Sequence, residues 1–98
     1  MKFLCHITVS DHDFTRITFA VLKVSDTTFI ATPVQNNIPN LAISFPSLYL
    51  SKKGRKWEYA FENSREWLKT EMISEMLIKL DQKMKDHKKL RLTTIKIN

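Results

Sequence analysis

Apolar and polar residues alternate along most of the first sixty positions of this chain. Phe3, Cys5, Ile7 and Val9 fall on one side of an extended segment, which predicts a first strand from Phe3 to Val9. A polar turn cluster, Ser10-Asp11-His12-Asp13, follows it. Phe14 to Val24 is rich in β-branched and aromatic residues and predicts a long second strand. Ser25-Asp26-Thr27 predicts the next turn. Thr28 to Val34 reads as a third strand, and Pro33 suggests an edge or a strand end because proline cannot donate to a ladder.

After a loop over Gln35 to Asn40, Leu41 to Phe45 reads as a fourth strand, bent at Phe45-Pro46-Ser47. Leu48-Tyr49-Leu50 then leads into Ser51-Lys52-Lys53-Gly54-Arg55, and Trp57, Tyr59 and Phe61 alternate with Lys56, Glu58 and Ala60. This is a β-hairpin with an aromatic face and a cationic tip. Gly54, the only glycine, supplies the positive φ that its loop requires.

Beyond Phe61 the period changes. Trp67, Leu68, Met72, Ile73, Met76, Leu77, Leu80 and Met84 recur at spacings of three and four, the stripe of an amphipathic helix. The spacing predicts a helix from Ser64 to Asp86. Asn63 or Ser64 would cap it, with Glu66 as the capping-box partner of Asn63. Residues 87–98 read as a basic tail, a last edge strand or a mobile end. Strands followed by one helix predict an α+β domain, an antiparallel sheet of five strands with the helix packed on one face.

At 98 residues the chain makes one domain with a single small core, for which dimerisation would be useful. No apolar run reaches the roughly 18 residues of a membrane span, and the first residues are too short an apolar segment for a signal peptide. A cytoplasmic protein that does not enter membranes is therefore expected. One cysteine, Cys5, excludes an intrachain disulfide and a four-cysteine zinc site.

The net charge of +6 is lopsided: residues 1–51 are neutral, and residues 52–98 hold 13 Lys and Arg against 7 Asp and Glu. That asymmetry points to a polyanion, nucleic acid before membrane. Two patches carry it. Lys52, Lys53, Arg55 and Lys56 stand at the hairpin tip beside Trp57 and Tyr59, a combination suited to phosphates and unpaired bases. Trp57 on an alternating face is read first as core. Lys79, Lys83, Lys85, Lys88, Lys89 and Arg91 form the second patch at the helix end. Cations there also complement the helix dipole, which accounts for one or two of six.

Catalytic and metal chemistry have little to rest on. His6, His12 and His87 are scattered without metal-helix spacing. Cys5 and His6 are neighbours on a strand and point to opposite faces. Glu58 with His6 or His12 is the one acid–base pairing a small ribonuclease would use. Met72, Met76 and Met84 read as packing residues. No cofactor and no enzymatic activity are expected.

The central stretch resembles the SpoVG family of small bacterial septation and sporulation regulators. The matching pieces are Phe29-Ile30 in an extended run, Ile43-Ser44-Phe45-Pro46-Ser47, a polar segment with Gly54, Tyr59-Ala60-Phe61, and Ser64 leading to a helix with Ile73 and Leu77. They cover residues 20–80. Ala60-Phe61-Glu62-Asn63 departs from the proline-bearing end of the family's second hairpin strand. The resemblance implies an antiparallel sheet with a C-terminal helix, a homodimer, and binding of DNA and RNA in gene regulation. It carries the nucleic-acid contact onto Arg65 and Lys69 in the helical region. The competing readings are a protein-interaction module without direct nucleic-acid binding and, behind it, the ribonuclease.

Overall fold

In a computed structural model of the chain, residues 1–37, 46–64 and 66–97 are described, with helix side chains described as far as Lys85. Five strands, β1 (Lys2–Ser10), β2 (Arg16–Lys23), β3 (Thr28–Asn36), β4 (Leu48–Lys53) and β5 (Lys56–Phe61), form one antiparallel sheet in chain order. A 3-10 turn, Glu62–Ser64, and the helix α1 (Thr70–Ile97) follow. The fold is α+β. The expected strand over Leu41–Phe45 lies outside the described residues, and so do the side chains of the expected tail.

The period of two decides which face is covered. Ile7, Val9, Phe19, Val21, Phe29, Ala31, Leu48 and Leu50 alternate inward and are buried. Met72, Ile73, Met76 and Leu80 of α1 close over them. Each fully buried Val, Leu, Ile, Phe or Met side chain contributes about 1.5–3 kcal/mol. The methionines of the helix stripe Met72 and Met76 are thus core, with Met84 packed at its margin. Among the described residues no helix is long and apolar enough to cross a membrane.

The helix begins at Thr70, not Ser64. Asn63 and Ser64 hold positive φ, 60° and 55°, so neither caps it. Trp67 and Leu68 belong to a connecting segment. Trp67 stacks on Phe19 at 6.0 Å, meets Phe61 edge-on at 6.4 Å and donates its Nε1–H to the Pro46 carbonyl at 3.0 Å. An anchored indole at this point sets where the chain can turn into a helix. The Lys69 carbonyl accepts from the amides of Met72 and Ile73, which makes Lys69 the cap residue.

Two bulges adjust the sheet. Phe3 faces Leu22 while Cys5 faces Val21, so Leu4 is the extra residue in β1. Leu4 and Cys5 both turn to the core, and Phe3 comes to the opposite face from Cys5, Ile7 and Val9, contrary to simple alternation. Thr18 faces Gln35 and Phe19 faces Pro33, which leaves Val34 as the second bulge. Pro33 therefore lies in the central strand, not on an edge strand. Among the described residues the pairing of β3 with β4 runs from Thr28 to Ala31, so Pro33 lies beyond it, towards the strand end. Pro46 precedes β4 and has no ladder position to fill.

β2 starts at Arg16, later than the pattern predicts. Phe14 sits in the β1–β2 turn at φ 61° with 84% of its surface exposed. The turn is tied by the Asp11 carboxylate, which accepts from the amides of Asp13 and Thr15, both at 3.0 Å.

One flank of α1 runs along the edge of β1. Glu75 Oε1 accepts from the Ser10 amide at 3.2 Å, and Lys79 Nζ donates to the Thr8 carbonyl at 2.7 Å. These two side chains, four residues apart, occupy outward backbone groups that would otherwise template another strand.

Candidate nucleic-acid interface

The hairpin tip is a two-residue loop. Lys53 pairs with Lys56 across it, with Gly54 at φ 64° and Arg55 outside the positive-φ set, the pattern of a type II′ turn. The loop is shorter than the polar segment from Ser51 to Arg55, because Ser51, Lys52 and Lys53 remain in the ladder. Nothing lies within 4 Å of where a Gly54 Cβ would stand, so only its dihedral demands glycine.

The four expected tip cations divide. Lys52 points to the covered face, and its Nζ lies 2.6 Å from Asp81 Oδ1 and 5.5 Å from the Trp57 ring centroid. Trp57 donates Nε1–H to the other oxygen of Asp81 at 3.2 Å and packs on Phe29 at 5.8 Å. Both residues hold the helix to the sheet. Lys53, Arg55 and Lys56 are exposed, and Lys53 meets Glu58 at 3.4 Å.

Of the other expected cations, Lys69 and Lys83 stand away from the tip. Lys69 reaches Asp11 at 2.7 Å and Asp13 at 3.7 Å, binding the helix start to the β1–β2 turn. Its hydrogen bond to Asp11 holds the Asp11 carboxyl below the usual carboxylate range, helped by the Thr15 and Asp13 amides, and pushes the Lys69 amine up. Lys83 lines a cleft of about 350 Å³ with His6, Thr8, Lys79 and Gln82, on the β1 side of the molecule. Lys85 is exposed. Arg65 and the side chains of Lys88 and Lys89 lie outside the described residues.

The ribonuclease constellation is not assembled. Glu58 stands on β5 and His6 on β1, four strand spacings apart, about 19 Å. His12 is paired with Glu71 at 3.3 Å instead. Burial pushes the Cys5 thiol up, against a smaller opposing effect of Lys83, which makes it a poor nucleophile at neutral pH. Among the described residues no three His, Cys, Asp or Glu side chains are grouped as a metal site would need.

The face of the sheet away from α1 carries residues that the sequence did not mark. Registers place Phe3, Leu22, Ile30, Tyr49 and Ala60 in one line across all five strands. Phe3 is 50% exposed and Tyr49 42%. The alternation Leu48-Tyr49-Leu50 held the signal for Tyr49, since flanking leucines on one face force it to the other. Phe3 had no such signal because a bulge decides its side.

No family model, curated protein or solved structure matches the chain.

Proposed function

We propose that the chain is a non-enzymatic nucleic-acid-binding protein, of the regulatory kind that the SpoVG resemblance implies, and that the hairpin tip makes its primary phosphate contacts. The observation that carries this reading is Lys53 standing directly opposite Lys56 beside Arg55. Like charges facing across a hairpin are destabilising. Glu58 offsets only Lys53, at 3.4 Å. A polyanion relieves the repulsion that folding leaves in place, and the tip meets it without uncovering any core. The homodimer belongs to the same reading and rests on the resemblance and on the small size of the core.

The test is a titration of random-sequence DNA and RNA at several salt concentrations. Changing Lys53, Arg55 and Lys56 together to Ala weakens binding to all sequences about equally and lowers the salt slope by roughly one unit per lost phosphate contact. Thermal stability stays within about 0.5 kcal/mol, since exposed loop charges contribute little. Unchanged affinity and unchanged slope in the folded variant would overturn the reading.

A further inference from the structure

The helix-free face of the sheet has three zones. At the hairpin end stand Lys53 and Lys56. Across the middle runs the apolar line from Phe3 through Ile30 to Ala60. Beyond it lies a polar region where Thr8 and Thr18 share a hydrogen bond at 2.8 Å and, with Arg16 and Gln35, border a cleft of about 270 Å³. We propose that single-stranded nucleic acid lies across this face, its bases stacking on Tyr49 and Phe3 and its phosphates drawn to Lys53 and Lys56. The proposal rests on the nucleic-acid reading above and adds the form of nucleic acid and the surface it uses.

The geometry of the line selects the occupant. Over β3 and β4 it is one residue wide; at the β2–β3 turn Val24, exposed two residues beyond Leu22, extends it. On one side its neighbours are Thr28, Ser51 and Glu58, and on the other Ala20, Thr32 and Ser47, with the Thr32 and Ser47 hydroxyls 3.1 Å apart. A dry sheet-on-sheet interface needs inward residues that are apolar over several adjacent positions along each strand, and here hydroxyls follow at once. Bases suit this pattern: a flat apolar face for the ring, hydroxyls for the polar edges. Duplex bases are already stacked and cannot use it.

The aromatic pair is arranged for this. Phe3 and Tyr49 stand three strand spacings apart, about 14 Å, with Leu22 and Ile30 as floor between them. The Leu4 bulge is what brings Phe3 to this side, where it meets His6 at a centroid distance of 5.0 Å. Tyr49 is steadied by its hydroxyl on Glu62 at 3.4 Å. Lys53 lies four residues along the same strand and face, about 13 Å from Tyr49. The face carries Arg16, Lys53 and Lys56 against Glu58, paired with Lys53, and Glu62, which accepts from the Tyr49 hydroxyl.

The experiment measures binding of labelled single strands of about 12 nucleotides, DNA and RNA, and of a duplex of the same sequence, by fluorescence anisotropy. The single strand is expected to bind at least about tenfold tighter than the duplex. Tyr49→Thr, which keeps a strand former, is expected to cost about tenfold on the single strand and leave the duplex unchanged, while Tyr49→Phe retains full affinity. Phe3→Thr repeats the loss at the other end of the line. The salt slope stays as in the unaltered protein, because no phosphate contact is removed. If the triple tip variant loses binding but Tyr49→Thr does not, or if duplex and single strand bind equally, the face proposal falls and the nucleic-acid reading stands. If the unaltered protein binds neither form, both fall. A concentration-dependent dimer that Tyr49→Thr abolishes would give the face to a second copy and overturn the proposal.

Discussion

Lys52 Nζ lies 2.6 Å from Asp81 Oδ1, an ion pair that joins the fourth strand to the helix over the covered face of the sheet. Asp81 also accepts from the Trp57 indole, so one carboxylate serves two elements of the hairpin. Both charged side chains keep roughly a third of their surface in water, 27% and 34%, which limits the pair's strength. Asp81→Asn is expected to cost about 1 kcal/mol. Asp81→Ala costs about 2 kcal/mol, because it leaves the Lys52 amine and the Trp57 N–H without a partner beside the core. Urea midpoints of the two variants measure this. Lys52→Met should lower stability while leaving the salt slope of nucleic-acid binding unchanged, which separates Lys52 from the three tip cations.

Gly54 gives a prediction that depends on backbone alone. A side chain at φ 64° costs about 1–2 kcal/mol, and no neighbour is within 4 Å to add to it. Gly54→Val should therefore destabilise by that amount and Gly54→Asn by less, since Asn tolerates the left-handed region. Equal melting temperatures for the two would show that the turn does not hold this dihedral in solution.

Phe14 is the converse case. It occupies the same left-handed region at φ 61°, and 84% of it is exposed, so it loses conformational energy without burying its ring. Phe14→Gly is expected to raise stability by up to about 1 kcal/mol, read as an increase in melting temperature. A fall would mean that the ring makes a contact worth more than the strain.

Stability should fall in acid, for a stated pair of carboxylates. Partial burial raises the Asp81 pKa, but hydrogen bonds from Lys52 and Trp57 and the charges of Lys52 and Lys85 outweigh it, and the net shift is downward. Asp11 is lowered chiefly by the Lys69 hydrogen bond. A carboxylate with a folded pKa below its unfolded value stabilises fully above the unfolded value of about 3.9, and that contribution disappears as pH falls through the folded value. Lys69 behaves oppositely: its raised pKa stabilises below the unfolded value of about 10.4 and is lost as pH rises through the folded one. Denaturant midpoints measured from about pH 7 to pH 2 should fall through the acid range, and Asp11→Asn and Asp81→Asn should each flatten the decline. A decline that both variants reproduce unchanged would assign it to other groups.

Much of this molecule was legible in the order of its residues. Alternation set Ile7 and Val9 on one side of the first strand and Phe61 on the aromatic side of the hairpin, and all three are buried, because one residue's step along a strand reverses its side and only one face is covered. A lone glycine in a cationic loop identified its own dihedral, because no other residue meets that demand without strain. The stripe Met72, Ile73, Met76 and Leu80 identified the helix that closes the core.

What remained depended on residues far apart in the chain. Lys52 read as a tip cation because its neighbours are cations; it stands on the covered face two residues beyond Leu50, where Asp81, twenty-nine positions on, pairs with it. Lys69, offered by the resemblance as a phosphate contact, is paired with Asp11, fifty-eight positions back. Trp67 fitted a helical period, and its stacking on Phe19 made it an anchor ahead of the helix instead. The line from Phe3 to Ala60 exists only through four strand registers and one bulge. Local period fixes the side of a strand on which a residue stands. Register and ion-pair choice are settled by energies between segments, and those come into being only when the segments meet.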